Sequence, residues 1–165
     1  MKVNQFFAVL HGDKSDGADP LMTLKGVNQI ESLKGLLPEN PAAVICGTGR
    51  RHRHVAATLG LTMTRSTLLL GDATSLDMID GQPTIVFADG NHCAYDAYTG
   101  IADMAPAIPA FLESLPDGAV LCTGRPFAKS LGIEAAKSGS VIEITIDENG
   151  EIGWSILDQL GETEV

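Results

Sequence analysis

The sequence has few cysteines and no long apolar run. Its three cysteines, Cys46, Cys93 and Cys122, are widely spaced and form no C-x-x-C pair, so neither a disulfide framework nor a zinc ribbon is indicated. We expect reduced, mostly buried thiols. No apolar run approaches the roughly 20 residues of a membrane span, and residues 1–10 lack the features of a secretory signal. The sequence therefore predicts a cytoplasmic protein with no membrane partner.

Positive charge is scarce as well. Eleven Lys and Arg residues oppose 21 Asp and Glu, which gives a formal net charge of −10. This balance excludes nonspecific binding to nucleic acid or to anionic membranes. An anionic ligand would need a local basic cluster, and residues 50–54 provide one with the sequence Arg-Arg-His-Arg-His. Because neighbours on a helix point about 100° apart, we expect most of this cluster on the surface.

Several catalytic motifs are absent. The sequence contains no H-E-x-x-H, Walker or G-x-S-x-G motif and no paired metal-ligand spacing, so no metal and no cofactor is predicted. No cysteine is followed by an arginine six positions later, which excludes a cysteine-phosphatase loop. Residues 47–52 imitate a dinucleotide-binding G-x-G-x-x-G loop, but His52 replaces the third glycine. Nucleotide binding is retained as an alternative.

The composition indicates one globular domain. The chain has 165 residues, of which 44% are hydrophobic, enough for a sizeable core. It has no internal repeat and no low-complexity linker. We predict a single domain over residues 1–165, in which residues 157–165 form a frayed acidic tail.

Apolar runs that are typical of strands alternate with helical patterns along the chain, which indicates an α/β domain with a largely parallel sheet. The predicted strands are 6–10, 42–46, 67–70, 84–88 and 119–123, and a terminal hairpin joins 141–146 to 151–156. The predicted helices span about 24–37, 50–59 and 107–115. Residues 71–82 are predicted to form a polar loop.

Ligands of open α/β sheets bind beyond the carboxyl ends of the strands. This rule predicts one rim that holds the side chains following the strands, namely His11, Gly12, Arg50, Arg51, His92 and Arg125. Guanidinium groups match phosphate oxygens, and an imidazole can accept a phosphoryl group and lose it to water. The rim is therefore predicted to bind phosphate.

Three stretches carry a resemblance to a known family. They are His11-Gly12, then DPLMTLKGVNQIESLKGLL at 19–37, then VICGTGRRHRHVAATLG at 44–60. Together they resemble the histidine phosphatase superfamily, the phosphoglycerate-mutase-like group. Residues 107–132 resemble it more weakly. The positions that match the two longer blocks are Asp19, Leu21 or Met22, Thr23, Gly26, Gln29, Arg51, Ala56, Leu59 and Gly60.

The resemblance implies a three-layer α/β/α sandwich with a mostly parallel central sheet. It also implies that His11 is the phosphorylated nucleophile and Arg51 a phosphate clamp. Such enzymes need a proton donor for the leaving alcohol, for which Asp72 is the first candidate and Asp89 the second. The substrate would be a phosphorylated small molecule or a phosphoprotein, and the short chain favours a phosphatase over a mutase.

Three positions depart from the family pattern. Leu10 stands where the family has an arginine, Cys46-Gly47-Thr48 replaces Ser-Ser-Pro, and residues 123–126 (Thr-Gly-Arg-Pro) stand where a second histidine is expected. Two hypotheses follow. Either Arg125 and His92 restore the missing charge and imidazole and the protein is an enzyme, or it is a noncatalytic phosphate-binding module. Residues 71–98 form an extra segment that would serve as a lid over the substrate or as a surface for a partner. The sequence does not predict an oligomeric state.

Overall fold

The computed structural model describes residues 3–16, 19–71, 74–87, 91–97 and 105–159. These residues form nine strands and four α-helices. The strands are β1 (Asn4–Leu10), β2 (Val44–Cys46), β3 (Arg65–Ser66), β4 (Thr74–Ile79), β5 (Gln82–Phe87), β6 (His92–Ala94), β7 (Val120–Thr123), β8 (Ser140–Ile146) and β9 (Ile152–Gln159). The helices are α1 (Leu24–Glu31), α2 (Arg50–Thr58), α3 (Ile108–Glu113) and α4 (Arg125–Ser130). No helix in this described part of the chain is long and apolar enough to cross a membrane.

Six strands form the main sheet, in the order β3-β2-β7-β1-β8-β9. The first four are mutually parallel, whereas β8 and β9 are antiparallel to their neighbours. The prediction of a largely parallel sheet is confirmed, and so is the terminal hairpin. β9 runs to Gln159, however, so residues 157–159 belong to the sheet rather than to a frayed tail, and residues 160–165 lie outside the described residues.

Helices cover both faces of the main sheet. Successive side chains of a strand point to opposite faces, and β1 shows this alternation clearly. Phe6, Ala8 and Leu10 belong to the core cluster that includes the apolar side chains of α3 and α4. Val9 belongs to the cluster that includes those of α1 and α2. The predicted three-layer α/β/α sandwich is therefore confirmed.

The two helices that follow β1 and β2 have recognisable ends. Thr23 caps α1, because its hydroxyl accepts the N–H of Gly26 at 3.1 Å. The helix ends at Glu31, and a 3₁₀ turn at Lys34–Leu36 completes the predicted helical segment. α2 is followed by Gly60 at φ +73°, a left-handed conformation that favours glycine.

Two predicted elements are wrong. Residues 71–82, predicted to be a polar loop, include β4, which pairs with β5 around a turn at Asp80-Gly81. Both turn residues have positive φ, +51° and +75°, as a two-residue hairpin of this kind requires. The run Leu68–Leu70, predicted as strand, is a 3₁₀ helix. β4, β5 and β6 form a second, antiparallel sheet.

Candidate functional site

The carboxyl ends of three neighbouring parallel strands meet at one edge of the main sheet. The N–H of His11, directly after β1, donates to the carbonyl of Thr123 at 2.9 Å, and the N–H of Gly47, directly after β2, donates to Cys122 at 3.0 Å. Because β7 lies between β1 and β2, the residues that follow all three strands are brought together. His11, Gly47 and Gly124 therefore border one site.

His11 presents an unprotonated ring nitrogen to this site. Its Nδ1 lies 2.9 Å from the carbonyl oxygen of Gly12, and a carbonyl only accepts hydrogen bonds. Nδ1 therefore carries the proton and Nε2 the free lone pair. Burial, and next the charge of Arg51, lowers the pKa of His11 to about 4. The ring is thus neutral at physiological pH, and its Nε2 is available as a nucleophile.

Gly12 orients His11 and allows helix α1 to approach. A β-carbon at Gly12 would lie 2.6 Å from the carbonyl oxygen of Gly26, so only glycine fits between the two segments. The N–H of Gly12 donates to Sδ of Met22 at 3.2 Å. The sequence predicts that Gly12 binds phosphate; the structure shows its carbonyl holding the His11 ring and its amide turned to Met22.

Arg51 is the central cation of the site. It is the second residue of α2, and its side chain is only 8% exposed. Its charge lowers the pKa values of His11, Lys14 and His52, so the guanidinium lies within electrostatic reach of all three. Lys14 is half-buried and was not among the predicted site residues. Its place in the loop after β1 was the only signal in the sequence.

His52 is a second histidine in the site. Its side chain is 1% exposed, and its ring centre lies 5.8 Å from that of His11, with the ring planes tilted by 56°. Nδ1 of His52 accepts the N–H of Gly49 at 3.1 Å. Burial, followed by the charge of Arg51, holds the pKa of His52 well below its ordinary value. His52 was not assigned to the site from the sequence.

Comparison with known proteins identifies the fold. No protein-family model matches the sequence, and no curated protein matches it significantly. The TTHB049 protein of Thermus thermophilus superposes with a TM-score of 0.60 at 19% identity, over 93% of this chain and 99% of that one. A mycobacterial glucosyl-3-phosphoglycerate phosphatase gives a TM-score of 0.63 at 13% identity, over 98% and 100%. Rv3214 from Mycobacterium tuberculosis gives 0.62 at 20%, over 96% and 99%. The chain has the phosphoglycerate-mutase-like fold.

Leu10 and Thr123, two of the positions at which the sequence departs from the family pattern, are both buried. Leu10, in the position of the expected arginine, is fully buried in the core cluster that includes α3 and α4. Thr123 is also fully buried, and its hydroxyl donates to the carbonyl of Leu70. Gly124, which follows, lies against the His11 ring. Neither Leu10 nor Thr123 supplies a charge to the site.

Two other predicted arginines lie at the starts of helices. The Arg50 side chain is exposed, and its backbone N–H, at the start of α2, donates to Oδ1 of Asp19 at 2.7 Å. Arg125, the first residue of α4, is exposed as well. Its charge lowers the pKa of His11, although less than burial, Arg51 and Lys14 do. The charge of Arg125 therefore acts on His11. Arg50 instead takes part through its backbone N–H, which bonds to Asp19 at the start of α2.

Three further residues, His92, Asp72 and Asp89, were considered for the site from the sequence. His92 lies on β6 of the second sheet with an exposed side chain. Asp72 and Asp89 lie outside the described residues. No group of three His, Cys, Asp or Glu side chains suited to a metal ion occurs in the described ranges. The described groups that converge are the neutral imidazole of His11, the imidazole of His52 and the three cations Lys14, Arg51 and Arg125.

Proposed function

We propose that this chain is a small member of the histidine phosphatase superfamily that hydrolyses a phosphomonoester or a phosphohistidine. One observation carries the proposal. Nδ1 of His11 is hydrogen-bonded to the Gly12 carbonyl, so Nε2 offers its lone pair, and the charge of the buried Arg51 acts on this ring. A neutral imidazole nitrogen next to a guanidinium is the pair that phosphoryl transfer to histidine requires.

The reaction would proceed in two steps. Nε2 of His11 attacks phosphorus, a P–N bond forms, and the P–O bond to the leaving alcohol breaks as the alcohol oxygen receives a proton. Water then attacks phosphorus, the P–N bond breaks, and inorganic phosphate and the free imidazole remain. Arg51 stabilises the negative charge on the phosphoryl oxygens, with Lys14 and Arg125 adding positive potential. Asp72 is our candidate for the proton donor.

The substrate class follows from the same site. We propose a phosphorylated small molecule or a phosphoprotein in the cytoplasm as the partner, with neither nucleic acid nor membrane involved. The excess of acidic residues over the whole chain repels polyanions, whereas the cations near His11 attract a single phosphoryl group. One protein of the same fold is a glucosyl-3-phosphoglycerate phosphatase, which supports a phosphomonoester.

A second function is a phosphate-binding module that does not catalyse hydrolysis. The burial of Leu10 in the core favours it, because the charge expected at this position is absent from the site. By analogy with oxyanion-hole donors, loss of one such group costs about 2.7–4 kcal/mol of transition-state stabilisation. A divergent site of this kind would keep affinity for phosphate while losing turnover.

Hydrolysis of an aryl phosphate between pH 5 and 8 by the wild type and by His11→Ala tests these functions. Turnover that disappears in the variant, together with an acid-labile phosphohistidine seen by ³¹P NMR, supports the phosphatase. If neither protein hydrolyses the substrate but calorimetry shows inorganic phosphate binding that His11→Ala weakens, the binding module is correct. A wild type that neither hydrolyses nor binds contradicts both functions.

A further inference from the structure

His52 is built into the site by the backbone around it. A β-carbon at Gly47 would lie 2.4 Å from Nδ1 of His52, and one at Gly71 would lie 2.7 Å from its Cε1 and 2.9 Å from its Nε2. Any residue other than glycine at these positions would displace the imidazole. The ring is therefore held in one place, 5.8 Å from the centre of the His11 ring.

The proton of the His52 ring can be located from the hydrogen bond that its side chain makes with Gly49. The backbone N–H of Gly49 can only donate, so Nδ1 of His52, 3.1 Å away, is an acceptor without a proton. Burial and the neighbouring charge of Arg51 keep the ring neutral by lowering its pKa. A neutral imidazole holds one proton, which must then be on Nε2.

The two histidines are thus held in opposite tautomers. His11 exposes a lone pair at Nε2, and His52 carries a proton at Nε2. Within the described part of the chain, no hydrogen bond joins the two rings. We propose that His52 donates its Nε2–H to an oxygen of the phosphoryl group on His11 and is the second imidazole of this site. The inference rests on the proposed function and assigns to His52 the role that the enzyme hypothesis in the sequence analysis gave to His92.

A purely structural role for His52 would use a different atom. His52 is the third residue of α2, and its bond from Gly49 satisfies one of the amides at the start of this helix. That bond engages Nδ1 only. The proposed role engages Nε2 only, so substitutions that preserve one nitrogen position and remove the other distinguish the two roles.

The chain offers such a matched set. In His52→Asn the side-chain oxygen is bonded to Cγ, as Nδ1 is in histidine, so the variant keeps an acceptor for Gly49 and loses the group at Nε2. In His52→Gln the amide nitrogen takes the place of Nε2, and the acceptor at Nδ1 is lost. His54→Asn is the control, because His54 on the same helix accepts the N–H of Met22 through Nδ1 at 3.2 Å.

Orthovanadate, a phosphoryl mimic, is the probe, and its affinity is measured by calorimetry alongside the melting temperature. A hydrogen bond to a charged group is worth about 1.5–3 kcal/mol, or roughly 10- to 150-fold in affinity. We expect His52→Asn to weaken vanadate binding at least ~10-fold. His52→Gln should bind vanadate within about threefold of the wild type but melt lower, and His54→Asn should bind it within about twofold.

Each contrary result is decisive. If His52→Asn binds vanadate like the wild type while His11→Ala binds it more weakly, the inference is overturned and the proposed function stands. If the wild type binds no vanadate, both are overturned. Should His52→Asn fail to fold, the imidazole ¹H–¹⁵N signals of the wild type decide. A shift of the His52 signal on vanadate addition supports the inference, and an unmoved signal overturns it.

Discussion

A β-carbon built on Gly124 would lie 3.1 Å from Nε2 of His11. Gly124 therefore faces the ring nitrogen that carries the lone pair. Its φ of −143° is extended, a conformation that alanine adopts without strain. The nucleophilic role proposed for His11 can thus be tested without changing His11 itself.

We expect Gly124→Ala to lower aryl phosphate hydrolysis at least ~10-fold. The added methyl group occupies the approach to Nε2, where attack requires reacting atoms at about 3–3.5 Å. The melting temperature should change little, because the backbone conformation suits both residues. kcat/KM and thermal unfolding, measured on the same preparations, check this prediction.

Gly35→Ala is the matched control. No atom lies within 4 Å of a β-carbon at Gly35, and this glycine is exposed. The control should keep its full activity. Wild-type activity in Gly124→Ala would show that substrate reaches His11 from another direction.

The two arginines at 51 and 53 provide a second comparison on one helix. Arg51 is buried and its charge lowers the pKa of both His11 and His52, whereas the Arg53 side chain is exposed. We expect Arg51→Ala to weaken inorganic phosphate binding about 10- to 100-fold, since a charge-assisted hydrogen bond contributes about 1.5–3 kcal/mol. Calorimetry should show Arg53→Ala within about twofold of the wild type. Equal losses in both variants would indicate a general effect of net charge instead of a clamp at Arg51.

Apolar periodicity was sufficient to predict β1, β2, β7, the terminal hairpin and the helices α1, α2 and α3, whereas the short elements β3, β6 and α4 were not predicted. β1 and β2 are buried runs, and α1 and α2 have clear polar and apolar sides, so burial determines these elements locally. Two other elements were missed for physical reasons. β4 lies in a three-stranded sheet and leaves Met78 68% exposed, which gives its sequence little apolar alternation. The run Leu68–Leu70 is too short for periodicity to separate strand from helix.

The site was predictable only in part. His11 and Arg51 follow strands and match a motif, so they were found from the sequence. The position of the His52 ring depends on the space left by Gly47 and by Gly71, and Gly71 lies 19 residues after His52 in the sequence. Contacts with residues distant in the sequence, such as Gly71, decide whether a histidine at a helix start points inward. A local sequence pattern cannot predict such contacts.

The close approach of Gly47 to His52 leads to a prediction about stability. A β-carbon at residue 47 would lie 2.4 Å from Nδ1 of His52, and overpacking of this kind costs about 1–3 kcal/mol. We expect Gly47→Ala to lower the free energy of unfolding by that amount. Part of this loss should be recovered in Gly47→Ala/His52→Ala, where the ring is absent. Urea unfolding of the two single variants and the double variant measures the coupling free energy between residues 47 and 52. Additive losses in the free energy of unfolding would contradict a direct clash between them.

The lowered pKa of His11 predicts how stability depends on pH. Its pKa is about 4 in the folded protein, against an ordinary value of 6.5. Between these pH values the unfolded chain binds the proton and the folded protein does not, so the free energy of unfolding decreases as pH falls from 6.5 to 4. At about 1.36 kcal/mol per pKa unit, the loss from His11 is on the order of 3 kcal/mol. The pKa of His52 is also lowered in the folded protein, so this residue further decreases the free energy of unfolding as the pH falls.

Urea unfolding of the wild type and of His11→Ala at pH 7.5 and pH 4.5 isolates this contribution. Carboxylates also titrate in this range, but they do so in both proteins and cancel in the difference. We expect the variant to lose roughly 2 kcal/mol less than the wild type between the two pH values. His92→Ala removes an exposed histidine and should follow the wild type. An equal loss in wild type and His11→Ala would mean that the His11 ring is solvated in the folded protein, and would remove the physical basis for its neutral, nucleophilic form.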